Sequence, residues 1–246
     1  MILLICEDGD AAASWAARGL AQRGLAVRTL TGSDLARVHR WEHRIGAHGI
    51  VFEASLEDGT TLRRSDITGV LNRLSYIPAA WLARTGGPDR DYAAQEMYAF
   101  YLSWLNAIPG LRLNAPAPQG LCGNWRHRSA WVALAARAGL PSVPYHLASS
   151  DDPDAAWTAA LAPGCVTTFV AAGRVIGPPA LPFALEDGCR RLAALAGADL
   201  LGIDFTVSAD AGDWQFLCAS VAPDLLLGGE ALIDALAAAF SASPGR

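Results

Sequence analysis

The strongest structural constraint in this sequence is a predicted β-hairpin near its end, formed by residues 200–207 and 214–221. Both runs are rich in branched and aromatic residues, and the polar turn between them contains Gly212 and two aspartates. Asp204 stands in the middle of the first, otherwise apolar run. An unpaired carboxylate in such a strand is costly. Asp204 therefore either has a partner elsewhere in the chain or is the remnant of a metal site.

Length, composition and charge limit the classes of protein to consider. The chain has 246 residues, enough for one large domain or two small ones, and 52% of them are hydrophobic, which predicts a substantial core. The net charge of -5 and the lack of a basic patch argue against a nucleic-acid partner. The start lacks the basic segment of a signal peptide, and we expect no membrane-spanning run. Five scattered cysteines without a C-x-x-C pair predict reduced thiols and a cytoplasmic location.

The chain contains no lysine, because all 19 basic residues are arginine. This excludes a Schiff-base lysine, a Walker lysine and any ammonium group that reaches a nucleotide phosphate. Compositional drift accounts for the absence, since alanine and arginine are both abundant, but the chemical consequence is the same whatever the cause.

The first 74 residues predict an α/β arrangement. A strand at 2–6, a helix at 11–23 that Asp10 caps, and a strand at 25–30 form a β-α-β unit typical of a parallel sheet. The first turn has one glycine and no G-x-G-x-x-G, so the dinucleotide fingerprint is absent. A hairpin is predicted at 49–54 and 60–63.

A histidine pair lies in a segment predicted to be helical, residues 33–44. His39 and His43 have the i, i+4 spacing that can share a metal ion, with Glu42 between them. The neighbouring arginines would repel a cation. A polar helix face is the interpretation that we favour.

The strand predicted before residue 74 ends in the polar pair Asn72-Arg73. The carboxyl end of a sheet strand is where α/β proteins place ligand contacts. An arginine at such a position also serves as a structural ion-pair partner, and the sequence does not decide between the two roles.

The remainder of the chain alternates helices with short strands. An aromatic helix at 91–107 is expected to contribute its stripe to the core. Further predicted elements are a helix at 124–138, a strand at 143–147, a short helix from Asp151 to residue 161, a hairpin at 166–171 and 174–177, and helices at 185–196 and 229–240.

The order of these segments resembles the ATP-grasp superfamily, closest to its ribosomal-protein-S6-modification and RiPP-ligase type. The similar segments are the opening β-α-β unit, the strand at 70–73, residues 94–96 on the aromatic helix, and the stretches 113–116, 138–144, 168–176, 202–205 and 216–217. The resemblance implies an α/β fold, with a pre-grasp-like β-α-β domain over residues 1–112. A truncated ATP-grasp-like α+β domain is then expected over residues 113–246.

The departures from this family concern its chemistry. Its enzymes place two lysines on nucleotide phosphates; here Arg126 and Arg128 stand where one is expected, and arginine is a planar fork rather than an ammonium. The second lysine is absent, and no room is expected for the glycine-rich loop after it, because little chain lies between Pro144 and Cys165. That loop would help to exclude water.

The metal site implied by the resemblance also departs from the family. Cys218 and Ser220 stand where the family has the Glu-x-Asn set that binds Mg²⁺ together with the preceding acid, here Asp204. A thiol and a hydroxyl are poor ligands for a hard cation. Asp204 is therefore interpreted as a vestigial metal ligand that now pairs with an arginine such as Arg174 or Arg73.

Two functional hypotheses follow from the resemblance. The first is a degenerate, catalytically inactive ATP-grasp-like protein that needs no cofactor and binds a peptide or a protein, either an active homologue or a second copy of itself. The second is a shortened but active carboxylate–amine ligase that uses ATP and Mg²⁺, with Arg126, Arg128 and Arg174 replacing the lysines and Asp204 holding one metal ion. An unrelated hydrolase is a third reading, in which Cys218 is the thiol to test, although a buried inert cysteine is favoured.

Overall fold

The computed structural model describes residues 1–78, 89–142, 145, 165–178, 181–207 and 213–242. Within this part of the chain the residues form two compact units. The first comprises Met1–Trp125 and Asp224–Arg246, and the second comprises Arg126–Pro223. The predicted domains were 1–112 and 113–246. The second unit instead begins at Arg126 and ends at Pro223, so that the C-terminal segment belongs to the first unit.

Local interactions explain why the first unit extends beyond residue 112. The buried Asn72 amide donates to the Leu121 carbonyl oxygen over 2.6 Å, which ties the segment after residue 113 to the first sheet. The C-terminal helix also belongs to this unit, because Ile233 lies against Gly19, where an added Cβ would be 2.9 Å from a side-chain carbon. Arg23 binds Glu230 and Asp234 at 2.9 and 2.6 Å.

The first unit is built on a parallel sheet with strand order β2-β1-β6-β7. Its strands are β1 (Ile2–Cys6), β2 (Val27–Thr31), β6 (Gly69–Asn72) and β7 (Leu111–Leu113). Helix α1 (Ala11–Gln22) connects β1 to β2, and the Asp10 side chain caps it by accepting from the Ala13 N–H at 2.8 Å. Gly24 follows the helix at a φ of +80°, in the left-handed conformation that ends helices. The predicted β-α-β unit is present.

A three-stranded antiparallel sheet, β3-β4-β5, completes the strands of the first unit. It consists of β3 (Arg40–Gly46), β4 (Gly49–Ser55) and β5 (Thr61–Arg63). The predicted hairpin at 49–54 and 60–63 is therefore confirmed, whereas the helix predicted over residues 33–44 is wrong. The short helix α2 (Gly32–Ala36) ends before His39, and the strict alternation of Trp41, His43 and Ile45 with charged residues belongs to a strand.

Two long helices cover the first unit. Helix α3 (Arg90–Ala107) places Tyr101 and Trp104 in the core, as expected of the aromatic stripe, although Tyr92 near its start is 67% exposed. Helix α6 (Gly229–Ala242) follows a 3-10 turn at Leu225–Gly228. The segment Leu225–Ala242 has the length and hydropathy of a membrane span, contrary to our expectation of none, but it buries Leu232, Ile233, Leu236 and Phe240 as the core helix of a globular protein does.

The second unit is an antiparallel sheet with strand order β11-β10-β8-β9. Its strands are β8 (Cys165–Ala171), β9 (Arg174–Ile176), β10 (Leu200–Val207) and β11 (Trp214–Ser220), so both predicted hairpins are confirmed. Helix α4 (Arg128–Arg137) starts four residues later than predicted, after a cap at His127, and helix α5 is Phe183–Ala196. The strand predicted at 143–147, the helix from Asp151 and the turn with Gly212 lie outside the described residues, Tyr145 excepted.

The apolar side chains of this sheet point to the two helices. Trp131 and Ala135 of α4, and Cys189 and Leu192 of α5, form one buried cluster with Ile203 of β10 and its neighbours. Because side chains alternate along a strand, the residues between these core positions face the other side of the sheet. Asp204 is one of them, and this is the face on which the candidate site lies.

Candidate functional site

Asp204 lies at the centre of a polar cluster on three adjacent strands of the second unit. The antiparallel register places it opposite Thr167 of β8 on one side and opposite Cys218 of β11 on the other. A β-bulge between Asp204 and Phe205 shifts the β10–β11 register, so that Phe205 is already opposite Phe216. The extra residue on β11 thus brings Cys218 into line with the carboxylate, in the way that bulges re-aim side chains near functional sites.

Both carboxylate oxygens of Asp204 accept hydrogen bonds from neutral groups. The Thr167 hydroxyl donates to Oδ1 over 2.7 Å, and the Cys218 thiol donates to Oδ2 over 3.1 Å. The two carboxylate oxygens of Asp204 thus accept from a threonine and a cysteine. The prediction that an arginine is the partner of Asp204 is wrong for these two contacts. Thr167 was not among the site residues predicted from the sequence. The alternation of side chains along residues 165–167 is the one signal that indicated a residue facing Asp204.

The Cys218 thiol is held in its protonated form. Burial, the hydrogen bond to Asp204 and the negative charge of that carboxylate together raise its pKa from 9.0 to about 12, and the charge of Arg128 opposes them. Burial and the Asp204 charge also raise the pKa of the nearby Cys165 thiol. A thiol with this pKa is protonated at neutral pH and is a weak nucleophile, so the interpretation of Cys218 as a reactive cysteine has no support from this geometry.

These residues do not fit Mg²⁺. The ion prefers several carboxylate or carbonyl oxygens and water in octahedral geometry, whereas here one carboxylate is bonded to a hydroxyl and a protonated thiol. Ser220, the other position at which the resemblance implies a ligand, is exposed and accepts a hydrogen bond from the Ala222 N–H over 3.1 Å. Among the described residues, no group of three or more His, Cys, Asp and Glu side chains could hold a metal ion.

The three arginines expected to contact phosphate have separate surroundings in the second unit. Arg126 donates to the Ala196 carbonyl oxygen at the end of α5 over 3.1 Å, and its guanidinium lies 5.5 Å from the centroid of the Trp131 ring. Arg128 is the first residue of α4, and its charge acts on Cys218. Arg174 is exposed on β9, opposite Ala171. Arg126 thus stabilises the junction of α4 and α5, and Arg128 is the arginine of the three whose charge reaches the Asp204 cluster.

Asn72 and Arg73 lie in the first unit and make internal contacts there. Arg73 Nε donates to Asp10 Oδ2 over 2.7 Å, and the two side chains are only 8% and 13% exposed. Asn72 Oδ1 accepts from the Leu74 N–H over 3.2 Å while its amide nitrogen donates to Leu121. Of the two roles left open by the sequence, this geometry favours the structural one.

The histidine pair does not form a shared metal site. His39 precedes β3, and His43 lies within that strand with its Nε2 2.9 Å from the Ser103 hydroxyl oxygen of α3. The i, i+4 spacing joins two side chains only on a helix, and the segment is not helical. Burial lowers the pKa of His43, which favours its neutral form.

Replacing Asp204 with alanine is expected to destabilise the second unit by about 1–3 kcal/mol, because the Thr167 and Cys218 donors lose their acceptor. Urea denaturation measures the loss. Asp213→Ala, which removes an exposed acid next to the same hairpin, is the control and should change the unfolding free energy by less than about 0.5 kcal/mol. The pKa of Cys218 should also fall in Asp204→Ala, giving faster alkylation at pH 9. An unchanged stability and alkylation rate would contradict the proposed hydrogen bonds.

Comparison with known proteins identifies the fold. No protein-family model and no curated protein matches the chain. Solved structures do: macrocyclase MdnC from Microcystis aeruginosa MRC, bound with precursor peptide MdnA, has a TM-score of 0.71 at 13% identity over 97% of both chains. A RiPP-associated ATP-grasp ligase of Chryseobacterium gregarium, in complex with ADP and a leader and core peptide, gives 0.70 at 13% over 100% of this chain and 98% of that one.

A third structure agrees with these two. ATP-grasp ligase PsnB, complexed with a phosphomimetic variant of a minimal precursor, Mg and ADP, gives a TM-score of 0.66 at 17% identity over 96% of this chain and 97% of that one. The chain therefore has an ATP-grasp-like fold, as the sequence resemblance implied. At these identities the similarity concerns the fold and not the activity.

Proposed function

We propose that this protein has an ATP-grasp fold without ligase activity and that it binds a peptide or a protein partner. The observation that carries the proposal is the state of Asp204, whose two oxygens accept from Thr167 and from a Cys218 thiol that is protonated at neutral pH. Acyl-phosphate chemistry requires the charges on the phosphates to be neutralised by metal ions and cationic side chains. One carboxylate bonded to a hydroxyl and a protonated thiol, in a chain without lysine, provides little of either.

The peptide partner is proposed from the fold relatives. MdnC, the Chryseobacterium gregarium ligase and PsnB are each described in complex with a precursor, leader or core peptide. Peptide binding depends on shape, hydrogen bonds and apolar contacts, none of which requires the metal or the lysines. A protein that lost its catalytic charges can therefore keep such a partner.

Calorimetric titration with Mg-ATP separates the proposal from an active ligase. We expect no heat of binding up to about millimolar nucleotide, which corresponds to a binding free energy weaker than about -4 kcal/mol. A matched variant, Cys218→Glu with Ser220→Asn, supplies the oxygen ligands that the family resemblance implies. Its affinity for Mn²⁺, measured by electron paramagnetic resonance, should exceed that of the natural chain. Micromolar binding of Mg-ATP by the natural chain, with release of ADP, would establish the ligase instead.

Partner binding is tested with purified components. The products of the neighbouring genes are titrated individually against the immobilised chain, and a dissociation constant of about 10 µM or lower, roughly -7 kcal/mol, supports the proposal. The Asp204→Ala variant should bind with the same affinity if the cluster is structural. A chain that binds neither Mg-ATP nor any of these products would contradict the proposed function.

A further inference from the structure

The second unit contains an open cleft of about 450 Å³ at the start of helix α5, next to the start of strand β11 and the residues that follow helix α4. This volume lies in the range of clefts that bind small ligands. None of the residues that line the cleft belongs to the Asp204 cluster. The lining residues are Pro141, Pro182, Leu185, Asp213, Trp214 and Gln215.

The apolar walls of this cleft are fixed by contacts within the second unit. The Pro141 carbonyl oxygen accepts from the Phe216 N–H over 2.6 Å, which holds Pro141 beside β11. The Pro182 carbonyl oxygen accepts from an N–H of the first turn of α5 over 2.9 Å. The Trp214 ring packs edge-on against the Phe205 ring, with the centroids 5.7 Å apart. Walls that are already ordered lose little conformational entropy when a ligand binds.

Phe183 extends the apolar surface beyond the cleft. This side chain is the first residue of α5, directly after Pro182, and it is 78% exposed. Aromatic side chains are enriched where proteins contact other proteins, and an exposed apolar surface beside a concave one is typical of such contacts. The surface therefore fits apolar residues that flank a group entering the cleft.

Asp213 gives the cleft a negative charge. It is the charged residue among the six that line the cleft, it is exposed, and it forms no ion pair with another residue in the described part of the chain. The positive end of the α5 dipole also lies nearby, but Glu186 in the first turn of that helix offsets it. The charge complementary to this cleft is therefore positive.

An arginine side chain suits this combination of groups better than a lysine. The planar guanidinium stacks on aromatic rings such as that of Trp214, and it is more weakly hydrated than an ammonium, so it loses less on entering an apolar cleft. Its five N–H groups can donate to the Asp213 carboxylate and to the Gln215 side-chain oxygen at the same time. The methylene stem packs on apolar walls while the charge stays at the rim.

We propose that this cleft binds an arginine side chain of a peptide partner, with the guanidinium on Asp213 and the methylene stem against Leu185 and Trp214. The residues next to that arginine in the peptide contact Phe183. This inference rests on the peptide-binding part of the proposed function, and it names the surface and the side chain through which the peptide is recognised.

Calorimetric titration with matched peptides tests the proposal. The probe is a blocked pentapeptide with one central arginine between two leucines, for which we expect a dissociation constant of about 100 µM. A peptide with citrulline in place of the arginine keeps the shape without the charge, and should bind at least about tenfold more weakly. A third peptide has glutamate at that position and should not bind the natural chain.

Charge reversal in the protein provides the matched variants. In Asp213→Arg the dissociation constant of the arginine peptide should rise at least about tenfold, and the glutamate peptide should now bind more tightly than it does to the natural chain. Asp187→Arg makes the same charge change on α5, two positions from Leu185 and therefore on a different side of the helix. It should leave the dissociation constant of the arginine peptide within about twofold. Circular dichroism and melting curves confirm that each variant is folded.

An arginine peptide that does not bind at about 1 mM would overturn the proposal, as would one that binds the natural chain and Asp213→Arg equally, or no better than its citrulline analogue. A natural partner whose affinity is unchanged in Asp213→Arg would also overturn it, while leaving the proposed function in place. Conversely, micromolar binding of Mg-ATP with release of ADP, in a chain that binds the arginine peptide through Asp213, would contradict the proposed function and leave this inference in place.

Discussion

Replacing Arg73 with methionine is expected to destabilise the first unit by about 3–5 kcal/mol, because Asp10 would keep a buried charge without its ionic partner. The two side chains are 8% and 13% exposed and 2.7 Å apart. Asp10 also caps α1 through its other oxygen, so the pair links the start of that helix to the end of β6. Urea denaturation followed by circular dichroism measures the loss.

A double-mutant cycle isolates the ion pair from the cap. Asp10→Asn removes the charge but keeps a side chain that caps helices well. The variant with both changes should be less destabilised than the sum of the single variants, with a coupling of about 1–3 kcal/mol. As a control, Arg63→Met removes the arginine of a pair with Glu53 that is 2.9 Å long but about half exposed, and should cost less than about 1 kcal/mol.

This prediction also decides between the two roles of Arg73. Substitution of a structural arginine lowers the stability of the protein. Substitution of an arginine that contacts a ligand lowers the affinity for that ligand and leaves the stability unchanged. If Arg73→Met melts like the natural chain but no longer binds a partner, the ligand interpretation of Asn72-Arg73 is correct. The buried contacts of both side chains favour the opposite result.

The sequence predicts this fold best where the pattern is local. The hairpins at β8–β9 and β10–β11 follow from alternating apolar residues on either side of a polar turn, and α1 and α5 follow from their helical periodicity. The helix expected at residues 33–44 is wrong beyond Ala36, because the residues around Trp41 and His43 alternate strictly between apolar and charged faces. That alternation already indicated a strand.

The candidate site was less predictable because its contacts are distant in sequence. Asp204 was identified from its position in an apolar strand, but its partner Thr167 lies 37 positions earlier and is brought to it by strand register. Charge alone suggested an arginine, while the strand geometry supplies two neutral donors. The bulge that aligns Cys218 with Asp204 depends on one extra residue in β11, which no local pattern reveals.

The natural protein is expected to lose stability steeply in alkaline solution. Burial raises the pKa of Cys6 from 9.0 to about 11, with the charge of Asp10 adding to the effect, and burial raises that of Cys189 from 9.0 to about 12. Between pH 9.0 and its raised pKa, each thiol stays protonated in the folded chain and ionises in the unfolded one. The unfolded state then binds fewer protons, so the free energy of unfolding falls as pH rises.

The expected loss is large for two side chains. Each thiol contributes a slope of about 1.4 kcal/mol per pH unit above its unfolded pKa, which gives about 5 kcal/mol for both between pH 8 and pH 11. Cys6 lies in the first unit and Cys189 in the second. If the units unfold in separate transitions, the Cys6 contribution should appear in the transition of the first unit, and that of Cys189, together with that of Cys218, in the transition of the second.

Urea denaturation at a series of pH values, with a reductant present to prevent oxidation, measures the slope. In Cys189→Ala the unfolding free energy is lower at neutral pH, because the packing of a buried side chain is lost, but its slope above pH 9 should be smaller by about 1.4 kcal/mol per pH unit. Tyr101→Phe provides a second comparison, since burial also raises the pKa of that phenol and its contribution begins only above about pH 10. A slope in Cys189→Ala equal to that of the natural chain would show that this thiol ionises freely in the folded protein, and would contradict the burial on which the core of the second unit depends.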